Sequence, residues 1–344
     1  MTLASLIKNI KWRFARLFYS ENAYKWFQAR ERNENFKEGK IVSIDEYTDD
    51  KPINKCNKRV VCIYDGKIKN GGLADRLRGI ISVYEVCKEQ NIDFKLIFKS
   101  PFNLVDFLQP NKINWNIGKE HLNFNTKFVN ICCIDTFDGS DYEARKQRRW
   151  FEKAFKKDYM EFHVRTNAFF AYNGNFSSLF NELFKLSPRL QTSINKLKSE
   201  LGNSYISTSF RFLNLLDDFN ETCGRDYQLT PKEQEKLING NIEQLQQLHN
   251  KYPGKRILVN SDSTTFLNRV KELDYVFAIS GNITHIDGKN DNNEYKTYEK
   301  TFLDFFMIAN AEKIYLLRTG GMYNSGYPYA ASKIYNRPFE KIEF

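Results

Sequence analysis

Val60-Val61-Cys62-Ile63-Tyr64, Gly71-Gly72-Leu73-Ala74-Asp75-Arg76-Leu77-Arg78-Gly79 and Phe94-Lys95-Leu96-Ile97-Phe98 are three neighbouring runs whose order decides the fold. The first and third are short apolar segments of strand length. Between them Leu73, Leu77, Ile80, Ile81, Tyr84 and Cys87 recur at helical spacing. The reading is strand, glycine loop, helix, strand. Glycine at such a junction lets backbone come close to a ligand, and the helix start offers free N–H groups. Asp75, Arg76 and Arg78 stand on the opening turns of that helix.

The second half repeats the rhythm more clearly. Tyr205 to Phe210 is strand-like and ends at Arg211. Thr230-Pro231-Lys232-Glu233 is a capping box with proline at the first helical position, and its helix runs to about Lys251. Strands are expected at Arg256–Asn260, Tyr275–Ile279 and Lys313–Leu317, and helices near Tyr298–Ala309 and from Tyr327. Residues 281–296 read as a loop. Strand–helix alternation predicts a parallel, doubly wound sheet, whose ligands bind at the carboxyl ends of the strands. Three polar groups fall at such ends: Arg211, Ser261-Asp262, and Arg318 to Ser325.

A chain of 344 residues suits two domains better than one core. The expected division is 1–50 as an N-terminal amphipathic helix and linker, 51–200 as one Rossmann-like domain, and 201–344 as a second. Residues 141–165, with Arg145-Lys146-Gln147-Arg148-Arg149, read as a helix or loop at a domain edge, its charges forming a solvated face or an anion site. Residues 176–201 have helical spacing and read as the connection between the halves.

The formal charge of +10 favours anionic partners. Six cysteines and four histidines show neither a disulfide framework nor metal-ligand spacing, so no metal is expected. The Walker pattern is absent, which argues against a P-loop nucleotidase. No apolar run is long enough to span a bilayer. Instead Leu3, Leu6, Ile7, Ile10, Phe14, Leu17 and Phe18 form one helical face beside Lys8, Lys11, Arg13 and Arg16. That pattern suits an anionic membrane surface, or a helix packed on its own protein.

Each rim residue has a binding reading and a plain structural one. Arg211 carries a guanidinium fork suited to phosphate, or a surface ion pair. The loop Thr319-Gly320-Gly321-Met322-Tyr323-Asn324-Ser325-Gly326 offers N–H groups and the Thr319 and Ser325 hydroxyls to a diphosphate, or is an ordinary turn. Asp262 suits a base or ribose, or a helix cap. Asp75 suits a general base, or pairs with Arg76 or Arg78, or caps its helix.

The glycine loop Gly71–Gly79 resembles the N-terminal loop of the fucosyltransferase superfamily. Ser209-Phe210-Arg211-Phe212-Leu213-Asn214 is similar to that superfamily's His-x-Arg motif: Arg211 is kept, while Ser209, Phe212 and Asn214 depart from the histidine, second arginine and acid. Val259-Asn260-Ser261-Asp262 and Thr319 to Gly326 are similar to its third and last motifs, so the likeness spans residues 59–335 in order. It implies a GT-B-like α/β fold, with two Rossmann-like domains facing a cleft. It implies a metal-independent inverting glycosyltransferase that needs no cofactor and uses a GDP-sugar donor, typically GDP-fucose. The donor site would comprise Arg211, Asp262, Thr319, Gly320, Gly321 and Ser325. Asp75 and Arg211 would be catalytic, and Gly71, Gly72, Arg76 and Arg78 would line the acceptor side of the cleft. Its acceptor would be a glycan or lipid-linked glycan in bacterial surface polysaccharide synthesis, handled in the cytoplasm at the inner membrane surface. Another nucleotide-sugar, or a non-catalytic scaffold role in polysaccharide assembly, is the alternative. A nucleic-acid partner is not expected, because the best stretch of interleaved aromatics and cations is the N-terminal one, whose pattern suits a membrane surface.

Overall fold

The structure is a computed structural model and describes residues 46–67, 70–134, 141–166, 174–216, 229–284, 286 and 294–344. The N-terminal amphipathic pattern and half of the expected 281–296 loop lie outside the described residues. Two compact units emerge: residues 1–104 with 110–173, and residues 105–109 with 174–344.

The first unit is built on a four-stranded parallel sheet. Strand β1 (Arg59–Tyr64) is followed by helix α1 (Leu73–Glu89) and β2 (Asp93–Phe98). Later come β4 (Val129–Ile134), α2 (Asp141–Ala154) and β5 (Glu161–Thr166), and the sheet order is β2-β1-β5-β4. Val60 lies opposite Phe94, and Cys62 opposite Val164. Every residue of β1 is buried, as parallel strands covered on both faces require. Strand β5 is equally buried. The sequence reading gave residues 141–165 to a helix or loop at a domain edge on their charged and aromatic character, yet Glu161 to Arg165 fall in this strand.

Their partners explain the burial. Arg59 Nε and Nη2 donate to Glu161 Oε2 at 2.9 and 2.7 Å. The Glu161 Oε1 carboxylate oxygen meets His163 Nε2 at 2.5 Å, and the Asn123 backbone N–H donates to it at 3.2 Å. The Tyr47 hydroxyl lies 2.8 Å from His163 Nδ1. A neutral imidazole with its proton on Nε2 satisfies both contacts. Arg165 forks onto both oxygens of Asp65, at 2.8 Å for Nη2–Oδ2. Buried charges are tolerated when they are paired in this way.

The second unit is a five-stranded parallel sheet of order β11-β10-β7-β8-β9. Its strands are β7 (Tyr205–Phe210), β8 (Arg256–Ser261), β9 (Val276–Phe277), β10 (Ile314–Arg318) and β11 (Phe339–Glu343). Helices α5 (Pro231–Lys251) and α6 (Thr264–Val270) connect β7 to β8 and β8 to β9. Their Ile238, Leu245, Leu248, Phe266 and Val270 share a core with Ile206 and Phe210 of β7. Helices α7 (Tyr295–Asn310) and α8 (Tyr327–Ile334) flank β10 in the chain. Tyr205 of β7 reaches α7, its hydroxyl donating to the Met307 carbonyl at 2.6 Å. The Thr230 capping box is formed as read.

Helices α3 (Phe176–Leu183) and α4 (Pro188–Leu201), expected to close the first half, belong to the second unit. The reason is packing: α4 lies along α7, and α3 touches α8. Strand β6 (Phe184–Leu186) pairs with β3 (Leu108–Pro110), which brings the short segment 105–109 into this unit. There Phe107 is stacked between Tyr295 and Phe302, at centroid distances of 4.4 and 4.0 Å.

Candidate functional site

In the second unit the chain runs from β7 outward to β8 on one side, while β10 lies on the other. Strand order therefore reverses between β7 and β10, and the crevice at their carboxyl ends is where such sheets take ligands. Arg211 follows β7 directly, and the glycine-rich loop 319–326 follows β10. The two are joined by backbone: the Tyr323 N–H donates to the Arg211 carbonyl at 2.9 Å.

Asp262 positions Arg211 from below. Its carboxylate accepts from the Phe212 and Leu213 N–H groups at 2.8 and 2.7 Å, and Arg211 Nη1 lies 3.4 Å away. Leu213 has φ 55°, a left-handed conformation that a leucine holds only when its surroundings fix it. Asp262 is only 3% exposed. Burial pushes its carboxyl up, opposed by Arg211 and the two N–H groups. Its oxygens, which the sequence reading offered to a base or ribose, are thus engaged by N–H groups and a guanidinium of the protein. The cap of α6 is its neighbour Ser263, whose hydroxyl accepts from the Phe266 N–H at 3.0 Å.

The loop after β10 divides in the same manner. Thr319 turns to the sheet edge, where its hydroxyl donates to the Phe344 carbonyl. That corrects the expectation that this hydroxyl faces a phosphate. The Ser325 hydroxyl oxygen accepts from the Tyr327 N–H at 3.3 Å at the start of α8, which leaves its own proton to donate. Gly320 has φ +54°, the conformation glycine adopts without strain. Among the described residues, no protein group accepts the N–H of Gly320, Gly321, Asn324 or Gly326. Tyr323 is half exposed beside them. Arg211 and four N–H groups that no described residue accepts therefore lie on the two segments that follow β7 and β10.

A second polar layer lies behind Arg211. Asn260 stands opposite Ser209 in the sheet register. Its side chain bonds Asp304 of α7, and Lys300 Nζ donates to Asp304 Oδ2 at 2.6 Å. Burial raises the Asp304 carboxyl, opposed by Lys300 and Asn260. Tyr327 feels both Asp304 and Arg211, and its hydroxyl donates to the Thr301 carbonyl at 2.5 Å. Among the described residues, the buried Ser209 hydroxyl has no hydrogen-bond partner. Sequence reasoning missed Lys300 and Asp304. The signal was present: two opposite charges four residues apart in a helix otherwise rich in Phe and Leu.

The first unit has its own rim at the ends of β1 and β5. Gly71 lies close against the helix start there, since a Cβ would sit 2.7 Å from Asp75 Oδ2 and oblige that carboxylate to turn away. Gly72 is the N-terminal cap of α1. Asp75 is 43% exposed and lies 3.5 Å from Arg78 Nη2. Arg76 takes a different place from the one expected at an acceptor surface. It is buried, donating to the Gly71 carbonyl at 2.7 Å and the Ser100 carbonyl at 2.9 Å, with its guanidinium over the Tyr64 and Phe98 rings. It clasps the glycine loop to the loop after β2. The ion pair of Asp65 with Arg165, flanked by Glu46 and Lys67, completes this rim and was not read from the sequence. Burial would raise the Asp65 carboxyl, but the Arg165 fork holds it below the ordinary range.

Among the described residues, no group of three or more His, Cys, Asp or Glu side chains could hold a metal ion. No helix among them is long and apolar enough to cross a membrane.

These two parallel α/β units define a GT-B-like fold. The chain is similar to the solved structure of NodZ α-1,6-fucosyltransferase soaked with GDP-fucose, at 13% identity and TM-score 0.55, covering 84% of this chain and 95% of that one. Fucosyltransferase NodZ from Bradyrhizobium aligns at 14% identity and TM-score 0.53, over 80% and 92% of the two chains. A variant of Arabidopsis thaliana FUT1 in complex with GDP aligns at 12% identity and TM-score 0.52, over 90% and 74%. At these identities the likeness establishes the fold. No family model matches the chain, and no curated protein matches it in sequence.

Proposed function

We propose that this chain is a glycosyltransferase of the fucosyltransferase superfamily that takes a GDP-sugar, GDP-fucose first among them. The observation that carries the reading is Arg211, held by Asp262 at the switch point beside the open N–H groups of Gly320, Gly321, Asn324 and Gly326. That set matches a diphosphate in charge and in donors. Its likeness in fold to structures determined with GDP or GDP-fucose supports the choice of donor.

In the reaction, an acceptor hydroxyl attacks the anomeric carbon as the bond from that carbon to the phosphate oxygen breaks. Arg211, the loop N–H groups and the Ser325 hydroxyl take up the negative charge that grows on the leaving diphosphate. The configuration inverts. The acceptor proton passes to a base, for which Asp75 is the assignment on the first unit's rim, with Arg78 as its counter-ion and Gly71 and Gly72 giving the loop room. The acceptor we infer is a glycan or lipid-linked glycan of a bacterial surface, met at the inner face of the membrane.

A donor-hydrolysis screen across nucleotide-sugars tests this. Release of GDP from GDP-fucose, abolished by Arg211→Ala, is the expected result. Hydrolysis of UDP- or CMP-sugars alone would reassign the donor. Full activity in Arg211→Ala would remove the site.

A further inference from the structure

Helix α2 carries two kinds of cation. Arg148 is used internally, bonding Glu85, Glu89 and Glu152 and so tying α2 to α1. Arg145, Arg149, Lys153 and Lys156 are exposed, and among the described residues none has an ionic partner. At 3.6 residues per turn Arg145, Arg149 and Lys153 fall within an arc of about 80°, and Lys156 follows in the turn just past the end of the helix. Ala144, Gln147, Phe151, Ala154 and Phe155 are buried on the opposite side. From Ala144 to Lys157 the sequence holds one acid, Glu152, which is paired with Arg148. Like charges four residues apart destabilise a helix. Arg145, Arg149 and Lys153 make two such pairs in succession, with no acid among the described residues of their unit paired to them.

We propose that this outward face of α2 is a docking surface for an anionic lipid bilayer. A straight row of unpaired cations complements a plane of phosphate headgroups, and each contributes to binding at such a surface. Trp150, half-buried at the border of the arc, is of the residue type that lies at the bilayer interface. A nucleic-acid strand fits less well, because it asks for aromatic faces presented among the cations. Here Phe151 and Phe155 are buried, and the Trp150 ring packs edge-on against Phe151 at 4.9 Å.

Co-sedimentation of the full chain with vesicles tests the surface, and it needs no transfer activity. The probes are phosphatidylcholine vesicles with and without about one third phosphatidylglycerol, in a salt series. Wild type should bind the anionic vesicles and release them as salt rises. The variant Arg145→Gln/Arg149→Gln/Lys153→Gln/Lys156→Gln should lose on the order of 10²-fold or more in partitioning, at about fivefold per cation, with its thermal midpoint kept. The milder Arg149→Gln/Lys153→Gln pair should lose about 25-fold and serves if the fourfold variant misfolds. Deletion of residues 1–36 should weaken binding and leave the salt-sensitive part that the α2 variants remove. The proposal is overturned by variants that partition like wild type, by equal binding to neutral vesicles, by loss of all binding on deleting 1–36, or by capture of heparin or oligonucleotide in place of vesicles.

Discussion

Arg211 is the residue on which the site turns, and its setting explains why arginine stands there. Its guanidinium lies against Asp262 while its backbone carbonyl accepts from Tyr323, so this one residue links the end of β8 to the loop after β10. Lysine would keep the charge and lose the fork. Asp262→Asn should lower unfolding free energy by about 1–3 kcal/mol, because one of two buried N–H groups loses its acceptor. Since Asp262 also orients Arg211, GDP affinity should fall with it. Urea unfolding and titration calorimetry measure the two; lost stability with unchanged GDP affinity would separate Asp262 from the site. On the first unit's rim, Asp75→Asn should lower turnover more than donor affinity if Asp75 takes the proton, and equal loss in both would make it structural. Residue types were legible at these positions, and their orientation was not. Asp262 reads as an acid at a strand end, yet nothing in its sequence context shows that two N–H groups of the neighbouring loop close on it. Arg76 and Thr319 read as ligand groups for the same reason, and carbonyls distant in sequence claim them.

At the scale of the element, β5 shows where polar composition misleads. Glu161-Phe162-His163-Val164-Arg165-Thr166 alternates polar and apolar, the pattern of a strand with one wet face. The strand is buried on both faces, because Arg59, Tyr47 and Asp65 neutralise or bond its polar side chains. Burial alone would raise Glu161, but His163 and Arg59 bring its carboxyl from 4.5 down to about 2. A carboxyl lowered by folding adds stability that is fully present above its unfolded pKa and is lost as pH falls through the folded value. Burial also lowers His163, which the unfolded chain protonates near neutrality, so both groups weaken the fold in the same direction. The first unit should therefore lose stability progressively from about pH 6.5 downward, on the order of 3 kcal/mol from Glu161 by about pH 2. Arg59→Met should weaken that dependence only in part, because His163 still bonds the carboxyl, and should cost about 3–5 kcal/mol near neutrality for removing the cation that faces a buried carboxylate. Urea midpoints across a pH series measure both; a flat profile in wild type would contradict the assignment. The Thr230 capping box, by contrast, was fully legible, since its partners lie within one turn. Thr230→Ala should cost about 1 kcal/mol and leave GDP binding unchanged.

At the scale of the molecule, strand–helix alternation was enough to give two parallel α/β units, because right-handed crossovers leave few other topologies. Their boundary was misplaced by one helical hairpin. The apolar spacing of α3 and α4 tells that they bury a face, and only packing tells that the face is covered by α7 and α8. The Phe107 insertion was illegible for a related reason: its stacking partners lie almost 200 residues away in the chain. Division into two units also makes a prediction. GDP should slow amide exchange at Gly320, Gly321, Asn324 and Gly326 and around Arg211, and leave β1 and β5 exchanging as before. Protection confined to residues 65–78 would move the nucleotide to the other unit.

The central claim is that Arg211 and the loop after β10 hold the diphosphate of a guanosine nucleotide. Titration calorimetry of wild type and Arg211→Ala with GDP, UDP and CMP tests it most directly. Saturable binding of GDP in preference to the other two, weakened about a hundredfold or more in Arg211→Ala, is the predicted result, since a charge-assisted fork is worth about 1.5–3 kcal/mol per bond. GDP binding of equal strength in the two proteins, or none in wild type, would contradict it.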